Sequence, residues 1–217
     1  MPRPVTPAGD PITLAGAHVR LEPLSLDHVD GLLDAATGDR SSFAYTVVPD
    51  DRAGMAGYVA DALRHAAGGD QVPFATVSLA LGRVVGSTRF YEVEPWDWAA
   101  IAPDARPTPD VGPVVRASIG HTWLDPAAQG TPVNTEAKLL MLDHAFAGWG
   151  ARAVRLQTDA RNVRSRAAIA RLGCALDGVL RADRPAADGT VRDSAVFSML
   201  ADEWPAARAR LVTRLAG

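Results

Sequence analysis

The apolar positions change their period several times between residues 118 and 175, and the rest of the chain is arranged around that stretch. Ser118 to Leu124, Ser-Ile-Gly-His-Thr-Trp-Leu, is rich in β-branched and aromatic side chains and reads as a strand. Asp125-Pro126 ends it, because proline has no N–H to give to a ladder. A short polar loop follows, Gln129-Gly130-Thr131-Pro132-Val133-Asn134. Thr135-Glu136-Ala137-Lys138 then opens a helix whose apolar positions Leu139, Leu142, Phe146 and Trp149 keep helical spacing, with Gly150 at C′. Arg152 to Gln157 alternates as a second strand. Asn162 caps a second helix, Val163 to Leu172, closed by Gly173.

The flanking sequence carries the same kinds of signal. Ile12 to Leu14 and Ala17 to Leu21 read as a first strand broken by Gly16, and Ser25 starts a helix with His28 at N3. Ser41 to Pro49 is irregular. Asp50 or Asp51 caps a helix over Ala53 to Ala67, ended by Gly68-Gly69. Gln71 to Leu81 and Val84 to Val93 form a hairpin about Gly82-Arg83. In its second strand Ser87, Arg89 and Tyr91 share one face, and Thr88 and Phe90 the other. Ala175 to Arg181 and Val191 to Leu200 pair antiparallel across Asp188-Gly189, and Ala201 to Leu215 is a C-terminal helix. The order β-α-α-β-β-β-α-β-α-β-β-α predicts a mixed α/β fold around a largely antiparallel sheet.

Composition narrows the function. The chain has 217 residues, enough for one domain with a large core, expected over residues 11–217 behind a loose tail of residues 1–10. The net charge of −3 gives no electrostatic footprint for nucleic acid or an anionic membrane. No apolar run reaches the roughly 20 residues of a membrane span, and no secretory leader is visible at the start, so the expected compartment is the cytoplasm. The single cysteine, Cys174, reads as a core residue. Lys138 is the only lysine, and it reads as a solvated helix residue. Metal-ligand spacings, a phosphate-binding P-loop and a nucleophile elbow are all missing, so no metal is expected.

The loop before the first central helix carries the candidate chemistry. A helix start has unpaired N–H groups and a partial positive charge, which suit a phosphate or pyrophosphate. With Asn162-Val163-Arg164-Ser165 and Leu172-Gly173 downstream, this stretch resembles the acetyl-CoA site of the GNAT N-acetyltransferases. Within that family it is most similar to the branch of the RimJ/RimL ribosomal-protein N-terminal acetyltransferases, and the resemblance spans about residues 11 to 203. The family's loop reads Gln/Arg-x-x-Gly-x-Gly/Ala. Gln129 matches its first position, whereas Pro132 and Asn134 stand where small residues are usual, and Pro132 has no N–H to donate. The second signature is matched by Asn162, Ser165 and Gly173.

The resemblance implies a GNAT-like sheet whose middle strands, Gly120 to Leu124 and Arg155 to Asp159, splay apart, with helices on both faces. It implies acetyl-CoA as the acyl donor. Thr122, Trp123 and Leu124 would hold the thioester. Gln129, Gly130, Thr131, Val133, Asn134 and Thr135 would cradle the pyrophosphate, and Asn162 and Arg166 would complete the cofactor contacts. Ser165 is the implied partner of the leaving thiolate, because the tyrosine used by many relatives is replaced by Ile169. The family's glutamate before the strand glycine is Ser118 here. The base is therefore open between His121, a histidine of ordinary pKa near 6.5, and a water relay ending on Glu92 or Asp159.

The acceptor, an amine on a small molecule or a protein N-terminus, would meet Arg89, Tyr91 and Trp96. Arg89 either pairs with a carboxylate on a neighbouring strand or recognises an anion at the acceptor end. The long segment Glu94 to Pro113, with Trp96, Trp98 and five prolines, reads as a substrate lid or a dimer contact, which leaves monomer and homodimer both open. Direct transfer in a ternary complex is the leading expectation. The alternative is a non-catalytic acyl-CoA-binding or regulatory module, favoured by Ser118 and Pro132, and a third is a structural dimerisation protein.

Overall fold

The computed structural model describes residues 11–94, 104 and 116–217. Trp96, Trp98 and most of the proline-rich segment lie outside the described residues, as does the N-terminal tail. Two strands, β1 (Leu14–Ala15) and β2 (Val19–Pro23), lead into a 3-10 turn over Leu26–His28 and helix α1 (Val29–Ala36). Helix α2 (Arg52–Gly68) precedes β3 (Gln71–Ser78), β4 (Arg83–Glu94) and β5 (Arg116–Leu124). Helix α3 (Pro132–Asp143) passes into a π-turn over His144–Gly148, followed by β6 (Ala153–Asp159) and α4 (Val163–Leu172). Strands β7 (Ala175–Pro185) and β8 (Val191–Leu200) and helix α5 (Trp204–Ala216) complete the chain.

The eight strands form one sheet in the order β1-β2-β3-β4-β5-β6-β8-β7. Every neighbouring pair is antiparallel except β5 and β6. Helices cover both faces. Under α1 and α2, Leu32, Met55, Val59 and Ala62 are fully buried beside Ala75 of β3. On the opposite face Phe74, Phe90 and Met199 of the sheet pack with Met141 and Leu142 of α3 and Leu211 of α5. Cys174 belongs to that second cluster, and burial pushes its thiol up to about 12, so it is an inert core residue.

Local chemistry accounts for most boundaries. The Asp51 side chain accepts the Gly54 N–H at the start of α2, and Gly69, with φ +85°, ends it. Ser25 and His28 form a capping box as the sequence implies, but around a single 3-10 turn that then feeds α1. Three expectations shift. The strand interrupted at Gly16 is a hairpin, with Leu14 opposite Leu21. Strand β7 runs on to Pro185, beyond Arg181. Helix α3 begins at Pro132 rather than Thr135, because Thr131 caps it.

Glu136 in the first turns of α3 ties that helix to the other end of the chain. Its carboxylate accepts the backbone N–H groups of Ala17, His18 and Val19 at 2.8, 2.6 and 2.8 Å. A buried carboxylate is tolerated there because three donors replace its water.

Candidate active site

The only parallel pair in the sheet comes apart. β5 and β6 are in register from Arg116 opposite Ala153 to Ile119 opposite Leu156, and no pairing is formed beyond that point. Both strands continue, β5 to Leu124 along β4 and β6 to Asp159 along β8. Their inner edges therefore face a gap, where backbone groups normally tied into a ladder are turned toward a cleft of about 590 Å³. This is the splay implied by the resemblance.

A bulge shapes the β5 side. Ser87 is opposite Trp123 and Arg89 is opposite Gly120, so His121 and Thr122 together oppose the single residue Thr88. His121 takes φ +50°. Gly120 has to be glycine, since a Cβ there would lie 2.7 Å from the Tyr91 ring.

Beneath the bulge sits Lys138, 4% exposed, which overturns its reading as a solvated residue. Its ammonium donates to Thr88 Oγ1 at 2.9 Å and Thr122 Oγ1 at 2.7 Å, and the two hydroxyl oxygens are 2.8 Å apart. No carboxylate among the described residues pairs with it. Burial lowers its pKa from 10.5 to about 7. One sequence signal pointed this way, a lone lysine one turn beyond a helix start, but its two hydroxyl partners are 50 and 16 residues away.

The start of α3 faces the same cleft. Thr131 is its N-cap and Pro132 occupies the first helical position. There the N–H has no intrahelical acceptor in any helix, and proline's fixed φ suits the turn. Pro132 is thus a helix-start residue rather than a defect in the loop. Gly130, at φ +74°, has nothing within 4 Å of where a Cβ would stand, so the backbone is open to a bulky anion. Gln129 fixes the loop by donating to Leu124 O at 2.7 Å and Ser42 Oγ at 3.0 Å, while Arg164 donates to its Oε1. Asn134 lines the cleft with a buried Oδ1 that has no hydrogen-bond partner. Those features suit a pyrophosphate and an amide-bearing arm.

Among the residues expected to contact the cofactor, Thr122, Trp123, Leu124, Gln129, Gly130, Asn134 and Asn162 line the cleft. The side chains of Thr131, Val133 and Thr135 do not. Val133 is in the core, and Thr131 caps the helix. Arg166 turns away to donate to Ala160 O at 3.1 Å, and Arg164 lines the cleft in its place. Arg164 and Arg166 point about 200° apart around α4, and which of them faces the cleft depends on how that helix docks, which local sequence does not specify.

Across the gap, Asn162 accepts the Ser165 N–H at 2.9 Å and so starts α4. Ser165 lines the cleft, half-buried, and its hydroxyl has no hydrogen-bond partner among the described residues. Ile169 one turn on is buried.

The acceptor side combines β4, β5, β6 and β7. Tyr91 receives the Gln157 amide at 2.9 Å, and burial raises its pKa. His121 meets its ring edge-on at 5.5 Å. The His121 ring opens to the cleft, yet the protein packed around it removes solvent and lowers its pKa to about 4, with Arg89 and then Arg184 adding to the effect. It is neutral at pH 7.

Arg89 is 2% exposed. It is not paired with a carboxylate on a neighbouring strand: it donates to Gln71 Oε1 at 2.9 Å, and its guanidinium lies over Tyr58 at 5.0 Å. The two relay carboxylates are elsewhere. Asp159 is locked by Arg161 at 2.7 Å, which lowers its pKa, and Glu92 accepts the Ser118 hydroxyl at 2.9 Å; neither lines the cleft.

A mixed sheet opened at its one parallel pair, with a helix start and a serine-bearing helix facing the opening, defines an acyltransferase architecture. Residues 18–175 match the acetyltransferase (GNAT) domain, and the chain belongs to the GNAT acetyltransferase family. Among solved structures it resembles a GCN5-related N-acetyltransferase from Brucella melitensis, with 26% identity over 96% of this chain and 87% of that one and a TM-score of 0.81. The fold is also that of Mycobacterium smegmatis RimJ in complex with CoA-disulfide, 21% identical over 95% of this chain and 93% of that one, TM-score 0.71. A RimL ribosomal L7/L12 acetyltransferase bound to coenzyme A shares it at 16% identity, covering 88% of this chain and 99% of that one, TM-score 0.68. No curated protein matches the chain.

Proposed function

We propose that the protein is an acetyl-CoA-dependent N-acetyltransferase that passes the acetyl group directly to a primary amine, through a single domain over residues 11–217. The observation that carries the reading is the opened β5–β6 pair, which aims unpaired backbone groups and the start of α3 at one cleft. The RimJ and RimL structures, with coenzyme A bound on the same fold, support the choice of donor.

Acetyl-CoA brings the activated thioester; the protein's own groups do the rest. Gly130 and the start of α3 would present backbone N–H groups to the pyrophosphate, with Arg164 on the cleft wall. The inner edge of β5 beyond Ile119 offers N–H groups to polarise a carbonyl, and the Lys138–Thr122 contact holds the bulge that sets their direction. The Ser165 hydroxyl, without a hydrogen-bond partner among the described residues, would donate to the departing thiolate from the cleft wall. His121 is neutral and can accept a proton. A weak base suffices, because an amine nitrogen becomes acidic once it has attacked a carbonyl. Pro132 costs the site no helix donor, which weakens the case for a non-catalytic binding module.

The test measures acetyl-CoA binding by calorimetry and thiol release with an amine panel, varying both substrates. Micromolar binding and intersecting initial-rate lines are expected. No heat at millimolar acetyl-CoA would sink the reading, and parallel lines would replace direct transfer with an acetyl-enzyme.

A further inference from the structure

Arg89 presents an unusual balance. A guanidinium this buried is normally neutralised by a carboxylate, because an unpaired buried charge is costly. Here Nη1 meets only the neutral Gln71 amide, Nε is buried with no hydrogen-bond partner, and no other group among the described residues takes up the remaining donors. The Tyr58 ring offers a π-face, not an acceptor. Arg89 nevertheless lines the cleft, on the strand opposite Gly120, where β5 and β6 part.

The surroundings lean the same way. Arg184 of β7 and Arg192 of β8 line the cleft near Tyr91 and His121. Arg184 is held by Asp183, whereas Arg192 donates from Nε to the Ser194 hydroxyl. Asp61 is the one carboxylate among the described lining residues, and Arg64 already engages it. The acceptor end is thus cationic in a chain whose net charge is −3.

We infer that the acceptor is an amine that carries a carboxylate in the same molecule, and that the Arg89 guanidinium binds that carboxylate where it lines the cleft, while the amine reaches the gap beside Gly120. This rests on the acetyltransferase reading and adds the substrate class. A carboxylate fits because its two coplanar oxygens match the two donors on one edge of a guanidinium. Bound there, it neutralises a charge that the fold leaves without a carboxylate. A free amino acid and a peptide whose N-terminal residue has an acidic side chain share this chemistry.

The experiment compares matched acceptors. Glycine, β-alanine and γ-aminobutyrate are set against glycinamide, propylamine and butylamine, with phosphoethanolamine and a short Asp-initiated peptide as further arms, all read by thiol release. Carboxylated acceptors should exceed their neutral partners in kcat/KM by roughly 10- to 100-fold, the range expected of a charge-assisted pair. The peptide arm separates a protein terminus from a free amino acid, and a preference for phosphoethanolamine over every carboxylate overturns the choice of acid. Arg89→Gln should erase the preference while leaving the KM for acetyl-CoA unchanged.

Because a buried arginine can be needed for folding, Gln71→Glu is the second variant. It keeps the guanidinium and supplies an internal carboxylate, so it should also abolish the preference. A preference that survives in either folded variant, or neutral amines used equally well, overturns the inference and leaves the acetyltransferase reading intact. Calorimetry of γ-aminobutyrate against butylamine on the cofactor-free protein reads the site without turnover, and equal binding there refutes it as well. Failure to bind acetyl-CoA is a separate result, which removes the acetyltransferase reading.

Discussion

Replacing Lys138 by methionine should alter the pH dependence of stability in a way that few single substitutions can. The unfolded chain holds this proton up to about 10.5, whereas the folded protein releases it near 7. Between those values the unfolded state binds more protons, so the wild-type protein should gain stability as pH rises through the window. Below pH 7 both states are protonated, and the whole cost of burying an ammonium is present. At about 1.36 kcal/mol per pH unit the full window corresponds to about 5 kcal/mol.

Methionine removes the charge and keeps an unbranched, helix-compatible side chain. It forfeits two hydrogen bonds to hydroxyls, worth about 1 kcal/mol each. Thr88 and Thr122 remain 2.8 Å apart and can bond to each other, so neither is stranded. Lys138→Met should therefore be more stable than wild type by about 2–3 kcal/mol at pH 6, and less stable by about 1–2 kcal/mol at pH 10. For a chain of this size each kcal/mol moves Tm by about 2–4 °C. Thermal melts of both proteins from pH 6 to 10 should cross at about pH 9. Other groups that titrate in the alkaline range, such as Tyr91 and Cys174, are common to both and cancel in the difference. Melting curves that stay parallel at every pH would refute the claim that Lys138 is buried as an unpaired amine.

Three other substitutions probe separate parts of the argument. Glu136→Ala leaves the N–H groups of Ala17, His18 and Val19 without their acceptor and should cost about 3–5 kcal/mol in urea denaturation; a change under about 1 kcal/mol would show that this carboxylate is not a structural tie. Ser165→Ala should lower kcat by roughly 10- to 1,000-fold, with Tm and the KM for acetyl-CoA nearly unchanged. An active but less stable protein would reduce Ser165 to a helix-start residue. Arg89→Gln removes a cation that helps hold the His121 imidazole near 4, so an NMR titration should find that pKa moved upward; an unchanged value would place Arg89 outside the histidine's field.

Much of the architecture was legible because it depends on neighbours in sequence. Asn162 and Gly173 bound α4 by capping and by a left-handed terminal residue, interactions that span three or four positions. The alternation in Val191 to Leu200 marks a strand, and the loop motif with the Asn162–Ser165 spacing pointed to the acetyltransferase family and to the cleft that its helices face. The start of α3 was displaced by one turn. Thr131 and Pro132 could be read as loop residues or as cap and first helical position, and only the direction of the chain leaving Gln129 distinguishes the two.

What tertiary structure alone decided are the charges and their partners. Whether Lys138 is solvated or buried depends on α3 lying against β4 and β5. Whether Arg89 meets a carboxylate depends on register: the residue that reaches it from β3 is Gln71, an amide. Arg184, Arg192 and Gln157 join the acceptor end from β7, β8 and β6, strands that the sequence places far from Arg89 and the sheet order brings around it. Periodicity records which side of an element is apolar. The electrostatic character of a cleft is set by which elements converge on it, and that convergence is a property of the folded sheet.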